Sequence, residues 1–379
     1  MPKNKKIQKQ PKLLPAAQPT LDGNELKYIK ECFKSNWIAA GGPFVKQFES
    51  GFAGLCNRSY GVATSSGTTA LHLALLAYGI RPGDEVIVPD FTFAASANCA
   101  LHSNAVPRFV DADADYFTID PNKIEEAINP KTKAIIPVHV YGHPADMGPI
   151  MEIAQRHNLK VIEDACPAHG SEYKGKPVGS LGDVGCFSFH ASKLIATGEG
   201  GMIVTDDAEY AERARIIRDQ GYVRGKYYWH EVIGYNYRLT NVQAAIGVAQ
   251  LETYKKKIKA KLAQMSLYSK LLSKIPGISV PKNAPYARRI ATFIIISVED
   301  DFGLNRDEIT LKLKEQNIET RPVFYPLHKM KPYAQFASGK EFPVAEEISR
   351  KGLQLPSSLN LTKDDIKRVC TSIAELRRG

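Results

Sequence analysis

No stretch of this 379-residue chain approaches the roughly 20 uninterrupted apolar residues that a membrane span requires. The N-terminus is rich in lysine but lacks the apolar run of a secretory leader, so the expected location is the cytoplasm and no membrane partner is expected. Cysteine is sparse and scattered, at 32, 56, 99, 166, 186 and 370, with no C-x-x-C pair. That spacing argues against a zinc knuckle and against a disulfide framework, and the six read as free thiols. Basic residues interleaved with aromatics, or a recognisable nucleic-acid module, are also missing, which sets nucleic acid aside as a partner despite a formal charge of +10.

Much of that charge is local. Met1 to Lys12 (MPKNKKIQKQPK) is nearly free of apolar side chains, and Lys255, Lys256, Lys257, Lys259 and Lys261 fall together on a helical pattern. The two clusters read as a basic flexible tail over 1–15 and as a solvated helix face.

Beyond the tail, short apolar runs alternate with amphipathic segments: Val86 to Val88, Pro107 to Val110, Ala134 to Val138, Val161-Ile162, Cys186 to Phe189 and Met202 to Thr205. Such spacing predicts parallel strands in an α/β layer. The texture changes near residue 250. A Lys-rich helix leads to a strand candidate at Ala291 to Val298 and a helical pattern at Arg306 to Gln316, so a large domain over 16–250 and a smaller α+β domain over 251–379 are expected.

Three segments carry residue types suited to chemistry. Thr64-Ser65-Ser66-Gly67-Thr68-Thr69-Ala70 runs directly into a helical pattern, and exposed amides at a helix start form a phosphate cradle. Ser and Thr there serve equally as plain N-caps. Val161-Ile162-Glu163-Asp164 is an apolar strand ending in two acids, where open α/β sheets place ligand-binding side chains. Ser188-Phe189-His190-Ala191-Ser192-Lys193, followed by Gly198-Glu199-Gly200-Gly201, puts a lysine just past a strand and ahead of a glycine-rich turn, a setting for a nucleophilic amine. His139 and His143, four apart, would pair as metal ligands on a helix, but Ile135 to Val140 reads as strand, so no metal is expected there and both read as structural or pocket residues.

Taken together these segments resemble the DegT/DnrJ/EryC1/StrS family of sugar aminotransferases, along nearly the whole chain after the tail. The resemblance rests on Ser65 to His72, Gly83-Asp84-Glu85-Val86, Glu163-Asp164-Ala165, Ser188 with Lys193, Gly198 to Gly201, and Gly234-Tyr235-Asn236-Tyr237-Arg238. It implies a type I aminotransferase fold, with a mostly parallel central sheet in the large domain, and pyridoxal 5'-phosphate as cofactor. Lys193 aligns with the lysine that carries the cofactor, and Asp164 with the acid that pairs with the pyridine nitrogen. Phe93 sits where an aromatic stacks on the ring; Gly67, Thr68 and Ser188 match the phosphate holders. Asn236 resembles the residue that reaches the phosphate from a neighbouring subunit, which implies a homodimer with shared sites. Arg321 and His328 match a substrate loop and become candidate sugar-nucleotide or amino-donor contacts.

The implied activity is transfer of an amino group from glutamate to C4 of a nucleotide-linked 4-keto-6-deoxyhexose. Amination at C3, cofactor-dependent dehydration, and a non-catalytic sugar-nucleotide-binding regulator are the alternatives. Relatives that dehydrate replace the key lysine with histidine, and here Lys193 is retained with His190 nearby. One departure stands out. Three residues after Asp164, where many relatives carry Gln, His or Glu near the cofactor's 3-hydroxyl, this chain has Pro167, which offers no side-chain donor.

Overall fold

The structure, a computed structural model, describes residues 12–377 apart from 224, 227 and 338. Seven strands form the central sheet: β1 (Tyr60–Thr64), β2 (Glu85–Pro89), β3 (Val106–Val110), β4 (Thr132–Ile135), β5 (Lys160–Asp164), β6 (Val184–Ser188) and β7 (Gly201–Thr205). Their spatial order is β1-β7-β6-β5-β4-β2-β3. Every adjacent pair from β3 to β6 is parallel, and β7 runs antiparallel to both β6 and β1.

Helices α1 (Glu25–Ser35), α2 (Pro43–Leu55), α3 (Gly67–Ala77), α4 (Ala95–His102), α5 (Met147–Arg156), α6 (Ala208–Arg218) and α7 (Asn241–Glu252) accompany this sheet. Both faces are therefore covered, which is why β2, β6 and β7 are buried along their whole length and read as continuous apolar runs without alternation. The chain continues through α8 (Tyr254–Leu272), α9 (Arg306–Glu315), α10 (Pro343–Lys351) and α11 (Lys363–Leu376). A second, antiparallel sheet of β8 (Ile278–Ser279), β9 (Ile294–Val298), β10 (Arg321–Pro322) and β11 (Gly352–Leu355) is ordered β8-β9-β11-β10. Its core joins Tyr268 and Leu272 of α8 to Ile309, Leu313, Leu353, Val369 and Ile373.

Each apolar run noted in the sequence falls on a strand, with shifted ends. The run Ala134 to Val138 stops as a ladder at Ile135, because Pro137 has no N–H to donate; Val138 rejoins β5 only as an isolated bridge to Asp164. The candidate Ala291 to Val298 starts late, at Ile294, because Ala291 N–H points to Met265 Sδ and Ile294 N–H to Ser357 Oγ rather than to a strand partner. Strand β1 was not anticipated.

The basic segments behave differently from their sequence reading. Residues 1–11 lie outside the described residues. Leu14, expected in the tail, is fully buried in the second core, where it exchanges backbone bonds with Asn317 and Glu319. The solvated lysine face is corrected at two positions: Lys257 and Lys261, four apart and so on one side of α8, are buried, while Lys255, Lys256 and Lys259 are exposed. Lys257 Nζ donates to Thr20 O at 2.8 Å and to Gln250 Oε1.

His139 and His143 lie on irregular backbone after β4, and each ring is held by protein. Ala145 N–H donates to His139 Nδ1 at 3.0 Å, so Nε2 carries the proton and donates to Glu163 Oε2 at 2.9 Å, both side chains having no exposure. His143 Nδ1 donates to Pro144 O at 2.8 Å and Nε2 accepts from Ala284 N–H at 3.1 Å. Glu163 also accepts from the amides of Gly179, Leu181 and Gly182, each at 2.7 Å. Burial alone would raise its pKa, but His139 and these amides more than offset that and hold it below the usual 4.5.

His139→Ala should cost about 3 kcal/mol in urea denaturation, because it leaves a buried carboxylate short of its partner. The stability contributed by a depressed carboxylate is complete above its unfolded pKa and is lost as pH falls through the folded one. The difference between the native protein and His139→Ala should therefore shrink below about pH 4, an outcome checked by repeating the denaturation down the acid limb.

Candidate active site

The site forms where β1, β5 and β6 end on the same side of the sheet. After β1 the chain turns at Ser66, whose extended backbone and side chain cap α3: Ser66 Oγ accepts from Thr69 N–H at 3.1 Å, and Ser66 N–H donates back to Thr69 Oγ1 at 3.0 Å. Ser66 is thus an N-cap, as the plain reading of this segment has it. The amides of Gly67 and Thr68, in the first turn, remain without helical acceptors and sit at the positive end of the helix dipole.

Gly67 is also a matter of space. A Cβ at this position would stand 2.7 Å from Ser188 Cβ and 2.8 Å from Cys166 Sγ, so only glycine lets the cradle close on the ends of β5 and β6. The glycine-rich turn works the same way from below, since a Cβ on Gly201 would lie 2.1 Å from Ser66 O.

Asp164, the last residue of β5, is buried. Its Oδ2 accepts from Ser96 Oγ of α4 at 2.7 Å and its Oδ1 from Cys166 N–H at 3.2 Å, which fixes the carboxylate's orientation. Ser188 ends β6, and its Oγ accepts from His190 N–H at 3.3 Å. Lys193 follows on a tight turn held by Lys193 N–H to His190 O (2.8 Å) and Ala191 N–H to Gly198 O (2.9 Å). Burial lowers the Lys193 pKa, offset in part by nearby Cys166 and Asp164, so its amine gives up a proton more readily than a surface lysine. Phe93, between β2 and α4, is 62% exposed beside Phe324, an open aromatic face.

The first-turn amides of α3, the buried Asp164 carboxylate and the Lys193 amine lie at neighbouring strand ends, and Phe93 precedes by three residues the Ser96 that bonds Asp164; such a set fits a cofactor with a phosphate, a basic ring nitrogen and an aldehyde. Residues 19–374 match the DegT/DnrJ/EryC1/StrS aminotransferase family. The chain belongs to that family. It is 44% identical over 361 residues to GDP-perosamine synthase of Caulobacter vibrioides, covering 95% of this chain and 97% of that one. Among solved structures it is similar to DesV of S. venezuelae, with a TM-score of 0.88 and 36% identity over 94% of this chain and 95% of that one. It also superposes on the PLP form of Spr1654 of Streptococcus pneumoniae, with a TM-score of 0.91 and 26% identity over 97% and 99% of the two chains. This aminotransferase is accordingly pyridoxal-phosphate-dependent, and its large domain has the fold its sequence implied.

Gly67, Thr68, Asp164, Ser188 and Lys193 therefore converge, whereas three other candidates have their contacts elsewhere. Asn236 is exposed on a segment bridged to Asp219, and among the described residues no hydrogen bond joins its side chain to the cradle. Arg321 is exposed on an edge strand and paired with Glu319 at 2.9 Å. His328 has both ring nitrogens engaged, Nδ1 with Asp90 at 2.7 Å and Nε2 with Glu346 at 3.2 Å, which fastens its loop to the end of β2 rather than offering a free donor. His190 is exposed and turned to Ser192, at 2.9 Å.

Ser96, Cys166 and His169 were not read from the sequence, because nothing about a serine in a helix or a cysteine after a strand separates them from ordinary residues. His169 is buried below the Lys193 turn, where Ile195 N–H donates to its Nδ1 at 3.3 Å; burial and the neighbouring Lys193 charge pull its pKa to about 3, so it stays neutral.

Gly67→Val should reduce affinity for pyridoxal phosphate at least about tenfold, the loss of one charge-assisted hydrogen bond or more. Equilibrium dialysis of the cofactor against variant and native protein checks this, with circular dichroism expected to be unchanged.

Proposed function

We propose that this enzyme transfers the amino group of glutamate to C4 of a nucleotide-linked 4-keto-6-deoxyhexose, as the name of its GDP-perosamine synthase relatives suggests. The observation that carries the reading is the convergence of Lys193 and Asp164 with the Gly67–Ser188 contact, in a chain 44% identical to such a synthase. Amination at C3, dehydration, and a purely binding role each find less support, since the last two have no use for a retained, buried-side lysine amine.

Pyridoxal phosphate, when bound, supplies an electron-accepting ring that stabilises negative charge at the carbon losing its proton. The Gly67 and Thr68 amides and Ser188 Oγ would hold its phosphate, Asp164 would keep a proton on its ring nitrogen, and Phe93 would offer an apolar ring to it. Lys193 Nζ would take the proton from the donor's amino-bearing carbon and, in the second half-reaction, deliver a proton to C4 of the sugar. Its lowered pKa suits both directions. Pro167 contributes only a carbonyl, which accepts from Thr292 Oγ1.

Asn236 serves the partner subunit's phosphate in a homodimer. Supporting this, the segment leading to it displays apolar side chains, with Ile233 90% exposed and Trp229 57%. Arg321 serves the substrate only by exchanging Glu319 for a substrate anion, while His328 positions the loop. Among the described residues no helix is long and apolar enough to cross a membrane, and the six thiols are free, which supports a cytoplasmic setting.

Native protein loaded with pyridoxal phosphate should show the visible absorbance of the lysine-bound cofactor, glutamate should abolish it, and Lys193→Ala should lack it; a native protein without that band would sink the reading. With GDP-4-keto-6-deoxy-D-mannose, NMR of the product should place nitrogen on C4, and nitrogen on C3 or an unsaturated sugar would move the enzyme to an alternative.

If sites are shared, mixing inactive Lys193→Ala with inactive Asn236→Ala subunits should restore about a quarter of native activity, since half the dimers are mixed and one of their two sites is intact. No recovery in mixtures proven to exchange subunits would place Asn236 outside the partner's site.

A further inference from the structure

A small polar cavity of about 20 Å³ is lined by Lys193 itself and by side chains the mechanism does not use. Its walls come from three places: the N-terminal segment at Ala17–Thr20, the Lys193 turn, and the second domain at Lys261, Thr292 and Ser358. The space suffices for about one water-sized oxygen, so one carboxylate oxygen can enter between the two donors while the rest of the group stays at its mouth.

What lines it is short of acceptors. Lys261 is 3% exposed; its Nζ donates to Gln264 Oε1 at 2.7 Å and to Ser357 O, leaving one of three N–H groups over. No carboxylate pairs with it among the described residues, although a buried cation without a counter-charge is expensive. Ser358 is 4% exposed and its Oγ has no partner, as is also true of Thr20 Oγ1. The Ser358 backbone cannot swing away to satisfy the hydroxyl, because its carbonyl is held by Gln264 Nε2 at 2.8 Å. Burial draws the Lys261 pKa to about 7, so an arriving anion completes its protonation.

We propose that this cavity is the amino donor's carboxylate subsite, with Lys261 Nζ and Ser358 Oγ as the two donors that receive one carboxylate while the donor's nitrogen lies at Lys193. The assignment rests on the aminotransferase reading above and gives it a donor site. It also accounts for the location of the pair: acceptor-free donors at the wall that carries the reactive lysine suit a substrate whose anionic group lies a few bonds from its amine. An inorganic anion has the same charge and would compete for these two donors, but it brings no amine to Lys193.

The test uses cofactor-loaded enzyme and glutarate, a dicarboxylate with no amino group. Calorimetry should show glutarate binding to native protein and competing with glutamate. Lys261→Gln should weaken both glutarate binding and half-saturation by glutamate about 10- to 100-fold, the range for a lost hydrogen bond to a charged group. Lys261→Arg should stay within about threefold of native and Ser358→Ala should fall between, by the same scale. In all three the visible absorbance of the lysine-bound cofactor should be retained, and so should the rate at which the amine-loaded form consumes keto sugar.

Glutamate saturation unchanged within about twofold in Lys261→Gln overturns the proposal. So does native protein that binds no glutarate, or chloride that occupies the site without raising the glutamate requirement. If Lys261→Gln does not fold, Lys261→Arg and Ser358→Ala decide: loss of cofactor absorbance in either marks a structural lysine and refutes the subsite. Lysine-dependent glutarate binding in an enzyme that ignores glutamate would sustain the subsite while defeating the transaminase reading, so the two failures are distinct.

Discussion

Glu163 is a carboxylate with no solvent exposure, and it collects hydrogen bonds from the His139 ring and from the amides of Gly179, Leu181 and Gly182. Those partners belong to the segments that follow β4 and precede β6, so one buried charge locks three neighbouring chain segments at the edge where the site forms. The next residue along the strand necessarily faces the other way, and it is Asp164. The strand's two-residue period converts the rigidity of a buried, hydrogen-bonded carboxylate on one face into the fixed position of a chemical carboxylate on the other. Ser96 and the Cys166 amide then set its orientation.

Two lysines are buried and a third, Lys193, is half-buried, and the fold treats each differently. Lys257 is met by neutral acceptors, Thr20 O and Gln250 Oε1, and ties α8 to the N-terminal segment. Lys193 sits on a turn whose backbone bonds leave its side chain to the site, and desolvation tunes it toward the free amine. Lys261, with a donor left over beside an unpartnered serine hydroxyl, is the one whose environment is incomplete without an anion. Desolvation lowers the pKa of all three; what distinguishes their roles is the set of acceptors the surrounding chain supplies.

The local chemistry was legible where it depended on residues close in sequence. The Ser66 cap, the Gly67 and Thr68 amides, the acid at the end of β5 and the lysine past β6 each follow from a short segment whose backbone geometry is set by its neighbours. What the lysines of α8 do was misread, because a helix with charges at 255, 256, 257, 259 and 261 has the same pattern whether or not another segment lies across two of them. Similarly, His328 and Arg321 looked alike as loop residues, and only their partners, Asp90 and Glu346 for one and Glu319 for the other, separate a clamped ring from an exchangeable surface pair.

By itself the sequence determined the α/β alternation, through short-range periodicity, and the residues at the strand ends, through contiguous motifs whose resemblance to a known family implied the cofactor. Tertiary structure alone decided which of those residues touch, that Gly67 must lack a Cβ because Ser188 and Cys166 approach it, and that Lys261 and Ser358 share a cavity with Lys193. The physical reason is distance along the chain. Contacts between residues 67 and 188, or 193 and 358, arise from the packing of strands and domains, and packing leaves no local signature in the amino acids it brings together.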